Sequence, residues 1–163
     1  MADPARDIAH EPVLYNEVLE CLNVLPGGVY IDGTAGGGGH AAGVLERSAP
    51  NGRLLALDAD PDALVIAARR LQAFAGRFTL AHGNFADLER VARQHGFGQV
   101  NGVLLDLGLS SRQLGAEGRG FSFQDDAPLD MRLDPSQTDT AADLVNGATE
   151  RDLADVIYRL GDE

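Results

Sequence analysis

Short apolar runs alternate with segments of helical spacing along the first two-thirds of the chain. The runs predicted as strands are bounded by glycine, aspartate or other polar residues and lie at residues 29–31, 53–58, 78–82 and 100–107. Helices are predicted before the first strand, at residues 40–46, from Asp60 and Pro61 onward, and at residues 86–95. Strands that alternate with helices at this spacing predict an α/β fold built on a parallel sheet.

Single residues refine two of these helices. The first helix contains Cys21, which we expect to be a small buried side chain. The helix that Asp60 opens is expected to present Leu64, Ala68 and Leu71 on one apolar face.

The pattern changes after residue 109. Residues 110–135 mix Gly, Ser, Asp and Pro with isolated aromatics and show no sustained period, which is typical of a functional loop. Two helices follow, and each opens with a pair that resembles a capping box: Thr140 with Asp143, and Thr149 with Asp152. The second of them carries an apolar stripe formed by Leu153, Val156, Ile157 and Leu160.

Composition excludes several classes of partner and site. The 163 residues carry 13 Lys and Arg against 25 Asp and Glu, and the net charge of −12 excludes a surface that is basic throughout. A single cysteine excludes an intramolecular disulfide and a cysteine-based zinc site, and we expect no metal. No apolar run approaches the roughly 20 residues of a membrane helix, so we expect a soluble, cytoplasmic protein.

The strongest chemical signal lies between the first strand and the helix after it. Four consecutive glycines, Gly36 to Gly39, allow a ligand to approach the backbone closely at a helix N-terminus. Asp58 follows about 20 residues later, at the end of the second strand, where a carboxylate accepts hydrogen bonds from both ribose hydroxyls of a nucleoside. Together they predict a nucleoside cofactor at the carboxyl ends of the strands.

Two cofactors fit this pattern: a nicotinamide dinucleotide and S-adenosylmethionine. The loop is longer and less regular than a dinucleotide fingerprint, and Asp32 opens it. Asp58 and Asp106 would add two more acids, which suit a sulfonium cation better than a diphosphate. The residues therefore favour S-adenosylmethionine and leave the dinucleotide open. Phe85 follows the third strand, where its ring either lies against adenine or packs in the core.

A series of motifs then occurs in the order in which one family carries them. They are His10-x-Pro12-Val13-Leu14, Tyr30-Ile31-Asp32-Gly33-Thr34, Gly38-Gly39-His40, Leu57-Asp58-x-Asp60-Pro61, Leu105-Asp106-Leu107-Gly108-x-Ser110-Ser111-x-Gln113-Leu114, Arg119-Gly120-Phe121-Ser122-Phe123 and Pro128-Leu129-Asp130-Met131-Arg132-x-Asp134. In them the chain resembles the small-subunit ribosomal RNA cytosine-N4 methyltransferases of the RsmH or MraW type. The last two blocks are far more specific than the glycine loop.

The resemblance implies a class I, Rossmann-like methyltransferase core with a helical domain inserted after the fourth strand. It implies S-adenosylmethionine as cofactor, with contacts at Gly38, Gly39, His40, Asp58, Phe85, Asp106 and Gln113. It also divides the chain into an incomplete core over residues 1–110, an active-site loop region over 111–139 and the start of the inserted domain over 140–163.

The implied reaction is methyl transfer to the N4 amine of a cytidine in small-subunit ribosomal RNA. That amine is a poor nucleophile, so the site must hold it in line with the donor and accept its hydrogen bonds. The candidates for this task are Asp106, Ser110 and Ser111. Arg119, Asp130 and Arg132 are candidates on the substrate side, although each arginine is as readily a structural ion pair.

The chain departs from the family in three respects. Arg112 stands where the family usually has proline, and Leu160 where it usually has tyrosine. Family members continue well beyond residue 163, so we expect an N-terminal fragment. Two alternatives to the methyltransferase stay open: an inactive fragment that retains only cofactor or partner binding, and a dinucleotide-binding oxidoreductase domain.

Overall fold

The computed structural model describes residues 12–115, 118–124 and 126–161. The chain divides into two compact units, the first ending at Leu107 and the second beginning at Gly108. The finer division into three parts stays a prediction. Among the residues named above, His10 lies outside the described ranges.

A parallel sheet forms the first unit. Its strands within the described residues are β1 (Val29–Asp32), β2 (Arg53–Asp58), β3 (Phe78–His82) and β4 (Gly102–Leu104). Their order across the sheet is β3-β2-β1-β4, and each neighbouring pair runs parallel. This is the order of the first four strands in Rossmann-type sheets. The prediction of an α/β, Rossmann-like fold with a parallel sheet is confirmed.

Helices connect the strands. In the described part of this unit they are α1 (Tyr15–Cys21), α2 (Gly39–Arg47), α3 (Pro61–Arg70) and α4 (Leu88–Gln94), with 3-10 turns at Leu71–Phe74 and Phe85–Asp87. Asp60 caps α3 as predicted, because its carboxylate accepts a hydrogen bond of 3.0 Å from the Asp62 amide. Pro61 then occupies the first turn of the helix, where its missing N–H costs nothing.

The continuous apolar run of β2 is explained by helices on both faces of the sheet. Leu54 and Ala56 pack in the cluster that contains Tyr30, whereas Leu55 and Leu57 pack in the other cluster, on the opposite face. All four β2 side chains are fully buried. A strand covered on both faces has no polar side, which is typical of parallel sheets.

At the β4 edge the structure corrects two expectations. Cys21 is exposed rather than buried, and it lies beside β4 in a shallow apolar depression. The strand predicted at residues 100–107 is also shorter, because among the described residues β4 pairs with β1 alone and that ladder ends at Asp32 and Leu104. An edge strand gains ladder bonds only where its one neighbour continues.

Two helix predictions also need correction. The predicted apolar face of α3 is confirmed at Leu64 and Leu71, which pack in the core, but Ala68 is exposed. Ala63 and Ala67 are the buried alanines of this helix. Residues four apart share a helix face, and this set continues to the buried Leu71. The helix predicted from residue 86 begins as the 3-10 turn at Phe85–Asp87 and becomes α-helical only at Leu88.

The second unit contains three short helices in its described part: α5 (Ser111–Leu114), α6 (Ala141–Gly147) and α7 (Glu150–Gly161). The predicted pairs at the starts of α6 and α7 are present: the Thr140 hydroxyl accepts from the Asp143 amide, and the Thr149 hydroxyl from the Asp152 amide, at 3.2 Å each. The apolar stripe of α7 is not buried, and Leu160 is 84% exposed. None of the described helices is long and apolar enough to cross a membrane.

Candidate functional site

Three carboxylates mark the edge of the sheet where the parallel strands end. Asp32 is the last residue of β1, Asp58 is the last residue of β2, and Asp106 follows β4 by two residues. β1 lies between β2 and β4, so its end is flanked by the other two. Open α/β sheets bind their ligands at this edge.

The glycine loop leaves β1 at this edge and enters α2. Gly36 and Gly38 have φ values of +50° and +78°, which residues with a side chain rarely adopt. A Cβ atom at Gly38 would also lie 3.1 Å from the Cα of Ala67. Part of the glycine requirement in this loop therefore comes from its turn and its packing on α3, independently of any ligand.

Asp58 ties the glycine loop to the start of α3. One carboxylate oxygen accepts a hydrogen bond of 2.7 Å from the Gly36 amide, and the other accepts one of 2.8 Å from the Asp60 amide. Burial raises the pKa of Asp58, although these bonds favour its charged form. A carboxylate has about four acceptor positions, so the group keeps capacity for ligand hydroxyls beside its backbone partners.

Asp32 is the most buried of the three acids, with 1% of its surface exposed. Its carboxylate accepts a hydrogen bond of 3.1 Å from the Thr34 amide. Burial, with a smaller contribution from the charges of Asp58 and Asp106, raises the pKa of Asp32 to about 7. The bonds from Thr34 oppose this increase.

Asp106 is held by its backbone and leaves its side chain half-exposed. Its amide donates a hydrogen bond of 2.7 Å to the Thr34 hydroxyl, which attaches the end of β4 to the glycine loop. Its carboxylate lies 3.7 Å from Nδ1 of His40. The buried His40 ring donates from Nε2 to the Val13 carbonyl at 3.1 Å and stacks on Tyr15. The His40 side chain is thus engaged within the protein, and its backbone amide remains the group expected to contact a cofactor.

An apolar wall lies beside the carboxylates. Phe85 is 44% exposed, and so is Leu105. Both pack around Gly33, where a Cβ atom would lie 3.4 Å from Cβ of Phe85 and 2.6 Å from the Leu105 side chain. Because Phe85 as a residue is 44% exposed, its ring can still lie against an adenine.

The remaining candidates belong to the second unit, and each already has a contact within that unit. Ser110 and Gln113 form the capping box of α5: the Ser110 amide donates to Oε1 of Gln113 at 2.9 Å, and the Gln113 amide donates to the Ser110 hydroxyl at 3.2 Å. Ser111 is exposed in the first turn of that helix. The capping box was not predicted from the sequence, where this segment is expected to be a loop.

The two arginines are both held by their own unit. Arg132 grips Asp130 with two hydrogen bonds, of 2.9 Å and 2.7 Å, and lowers the pKa of that carboxyl to about 2. Arg119 donates to the carbonyl oxygens of Arg132 and Leu133 at 2.9 Å each, and its guanidinium lies 5.6 Å from the Phe121 ring centre. These contacts are those of structural residues. A role in contacting RNA stays a prediction.

A known protein family matches almost the whole chain. The model of the MraW methylase family matches residues 7–163. The chain belongs to the MraW methylase family.

The chain is also similar to curated proteins that carry a specific name. The ribosomal RNA small subunit methyltransferase H of Syntrophobacter fumaroxidans is 50% identical over 99% of this chain and 50% of its own length. The protein of the same name from Syntrophus aciditrophicus is 53% identical over 94% of this chain and 49% of its own. The chain therefore spans about half the length of the curated relatives it matches. Among solved structures, TrmN from Thermus thermophilus aligns with 52% of this chain and 27% of its own, with 22% identity and a TM-score of 0.47.

Thr34 was not singled out from the sequence, although it connects acids at the site of this MraW family member. Thr34 binds Asp32 through its amide and Asp106 through its hydroxyl, and so connects two of the three acids. Asp32 entered the prediction only as the acid that opens the loop. Its burial between two strand ends was not foreseeable from the sequence. In the described residues no group of three or more His, Cys, Asp or Glu side chains is arranged to hold a metal ion.

Proposed function

We propose that this chain binds S-adenosylmethionine at the carboxyl ends of β1, β2 and β4. The supporting observation is the charge of that edge, where three aspartates meet a loop of backbone amides. A sulfonium cation is stabilised beside carboxylates, whereas the diphosphate of a dinucleotide is repelled by them. The membership in a methylase family supports the same choice.

The proposed roles follow the contacts that each residue leaves open. Asp58 receives the two ribose hydroxyls on its remaining acceptor positions, and the half-exposed Phe85 ring lies against the adenine. The backbone of Gly38, Gly39 and His40 forms the floor of the site. Gly38 shapes this floor through its positive φ, and the close packing of Gly38 on Ala67 of α3 restrains it.

The methionine end and the acceptor are assigned to the residues after β4. Asp106 has a half-exposed carboxylate and a fixed backbone, so it can accept hydrogen bonds from an amine without moving. Gln113 is the further candidate for the methionine end. Ser110 and Ser111 are candidates for holding the acceptor amine, and Arg119, Asp130 and Arg132 for the substrate side.

The proposed reaction is methyl transfer to the N4 amine of a cytidine in small-subunit ribosomal RNA. The names of the relatives support the choice of RNA. Bases in RNA must be unstacked before an enzyme reaches their amines. This reaction is proposed for the whole protein, because the chain covers about half the length of its relatives. The alternative for this chain by itself is that it binds a cofactor or a partner and catalyses no reaction.

Calorimetric titration of the chain with S-adenosylmethionine and with NAD, in parallel, tests the cofactor. We expect heat from the first ligand and none from the second, and binding of NAD alone would refute the proposal. The substrate is tested by incubating small ribosomal subunits with labelled S-adenosylmethionine and either this chain or a full-length relative, followed by nucleoside analysis. We expect label in N4-methylcytidine with the relative, and label in another nucleoside would refute the cytidine assignment.

A further inference from the structure

Asp32 is a buried carboxyl at the centre of the site, and the proposed function uses only its charge and assigns it no ligand group of its own. It ends the central strand β1, where it pairs with Ala56 of β2 on one side and with Leu104 of β4 on the other. Water reaches 1% of its surface. A buried carboxylate is costly unless a cation or several donors compensate it.

Among the described residues, the surroundings of Asp32 supply few donors and no cation. Thr34 is its hydrogen-bonding neighbour, at 3.1 Å from the amide. The titratable groups around it on the neighbouring elements are Asp58 at the end of β2 and Asp106 after β4, both acidic. His40 of α2 is turned to Asp106, at 3.7 Å, and to the Val13 carbonyl. Burial and the two negative neighbours keep the pKa of Asp32 at about 7, so the carboxyl is protonated in about half of the molecules at neutral pH.

We propose that Asp32 is a specificity residue: it exchanges its proton for the positive charge of the methyl donor, and so distinguishes S-adenosylmethionine from the product S-adenosylhomocysteine. This rests on the proposed binding of S-adenosylmethionine at the same edge. The two ligands share their adenosine, amino and carboxylate groups, and they differ by the sulfonium methyl and its one positive charge. A cation beside the buried carboxyl favours its ionised form, whereas a neutral thioether does not. The donor therefore binds the ionised protein, and the product tolerates the protonated one.

The sign and size of the effect follow from this competition. Raising the pH through 7 increases the ionised fraction of Asp32 and therefore the affinity for the cation. With a pKa of about 7, about one molecule in ten is ionised at pH 6 and nine in ten at pH 8. Because apparent affinity scales with the competent fraction, the affinity for S-adenosylmethionine should rise about tenfold over this interval. The amino group that both ligands carry titrates in both, so its effect is largely removed from the ratio of the two dissociation constants.

Calorimetric titrations of this chain with both ligands at pH 6, 7 and 8 test the inference. The ratio of the Kd for S-adenosylhomocysteine to the Kd for S-adenosylmethionine should rise about tenfold from pH 6 to pH 8 in the parent. In Asp32→Asn, which keeps an oxygen for the Thr34 amide but cannot ionise, the ratio should not change with pH. In Asp62→Asn, which neutralises an exposed acid in the first turn of α3, the ratio should still rise as it does in the parent.

A second measurement does not depend on any variant folding. Titrations of the parent at pH 7 in buffers of different ionisation enthalpy count the protons released on binding. We expect about half a proton more for S-adenosylmethionine than for S-adenosylhomocysteine. Normal binding of both ligands with a flat ratio and equal proton release would overturn the inference and leave the proposed function standing. A slope that survives in Asp32→Asn, or disappears in Asp62→Asn, would also overturn it. Failure of S-adenosylmethionine to bind at any pH would refute the proposed function itself, and this inference with it.

Discussion

Replacing Asp58 with alanine tests the ribose contact that the proposed cofactor site requires. Its two carboxylate oxygens accept hydrogen bonds from the Gly36 and Asp60 amides at 2.7 Å and 2.8 Å, and the Ala59 amide also bonds to the group. A carboxylate has about four acceptor positions, and the ribose hydroxyls would use the capacity that remains. Loss of these charge-assisted bonds should weaken binding by about 1–3 kcal/mol, which is roughly 5- to 150-fold in Kd.

The same substitution has a separate effect on stability. It leaves the Gly36 and Asp60 amides without their carboxylate partner, in a region that water partly reaches, so the free energy of unfolding should fall by about 1–2 kcal/mol. Asparagine is not a neutral replacement here, because both carboxylate oxygens accept N–H bonds and an amide offers one oxygen. Alanine is therefore the clearer change.

Binding and stability are measured on the same proteins, by calorimetric titration with S-adenosylmethionine and by urea unfolding. Asp62→Ala is the matched control, since it removes an exposed acid from the first turn of α3, four residues away. We expect the control to bind as the parent does. An Asp58→Ala protein that unfolds in less urea but retains the parental Kd would show that Asp58 serves only the fold.

Three further predictions concern the loop and the RNA. Thr34→Val removes the hydroxyl that accepts from the Asp106 amide at 2.7 Å, and it should lower the free energy of unfolding by about 0.5–1.5 kcal/mol. Thr34→Ser keeps a hydroxyl and should retain most of that free energy, so equal urea midpoints for the two variants would contradict the prediction. Gly38→Ala should lower the free energy of unfolding by about 1 kcal/mol or more beyond the loss caused by Gly76→Ala. Both glycines have positive φ, but only Gly38 faces Ala67, so equal losses in the two variants would show that this close packing is unimportant. RNA binding by this chain should be weak and lose little affinity as salt increases, because the net charge of −12 leaves few cations to displace counterions; a steep salt slope in filter binding would refute this.

Much of the first unit was predictable because its signals are local. The strands at residues 53–58 and 78–82 follow the predicted bounds, and the caps at Asp60 and Thr140 form as expected. Propensity, capping and apolar runs act within a few residues, so they are present in the sequence itself. Alternation of strands and helices then restricts the topology to a parallel sheet.

Burial and partner choice were not predictable in the same way. Cys21 is exposed and Ala67 rather than Ala68 is buried, because the side of a helix that faces the sheet depends on the elements packed around it. The shortening of β4 depends on the length of its neighbour β1. These outcomes are set by contacts between segments far apart in the chain.

The sequence by itself determined the class of fold, the position of the glycine loop and the acids that accompany it, and its motifs indicated the family. Tertiary structure alone decided what each acid became. Asp58 became an anchor for two amides, and Asp32 a carboxyl with a pKa of about 7, while Arg119 and Arg132 were drawn into contacts within their own unit. The physical reason is that burial and neighbouring groups set the charge of a polar side chain and the hydrogen-bonding positions it has left. Only the folded chain brings those neighbours together.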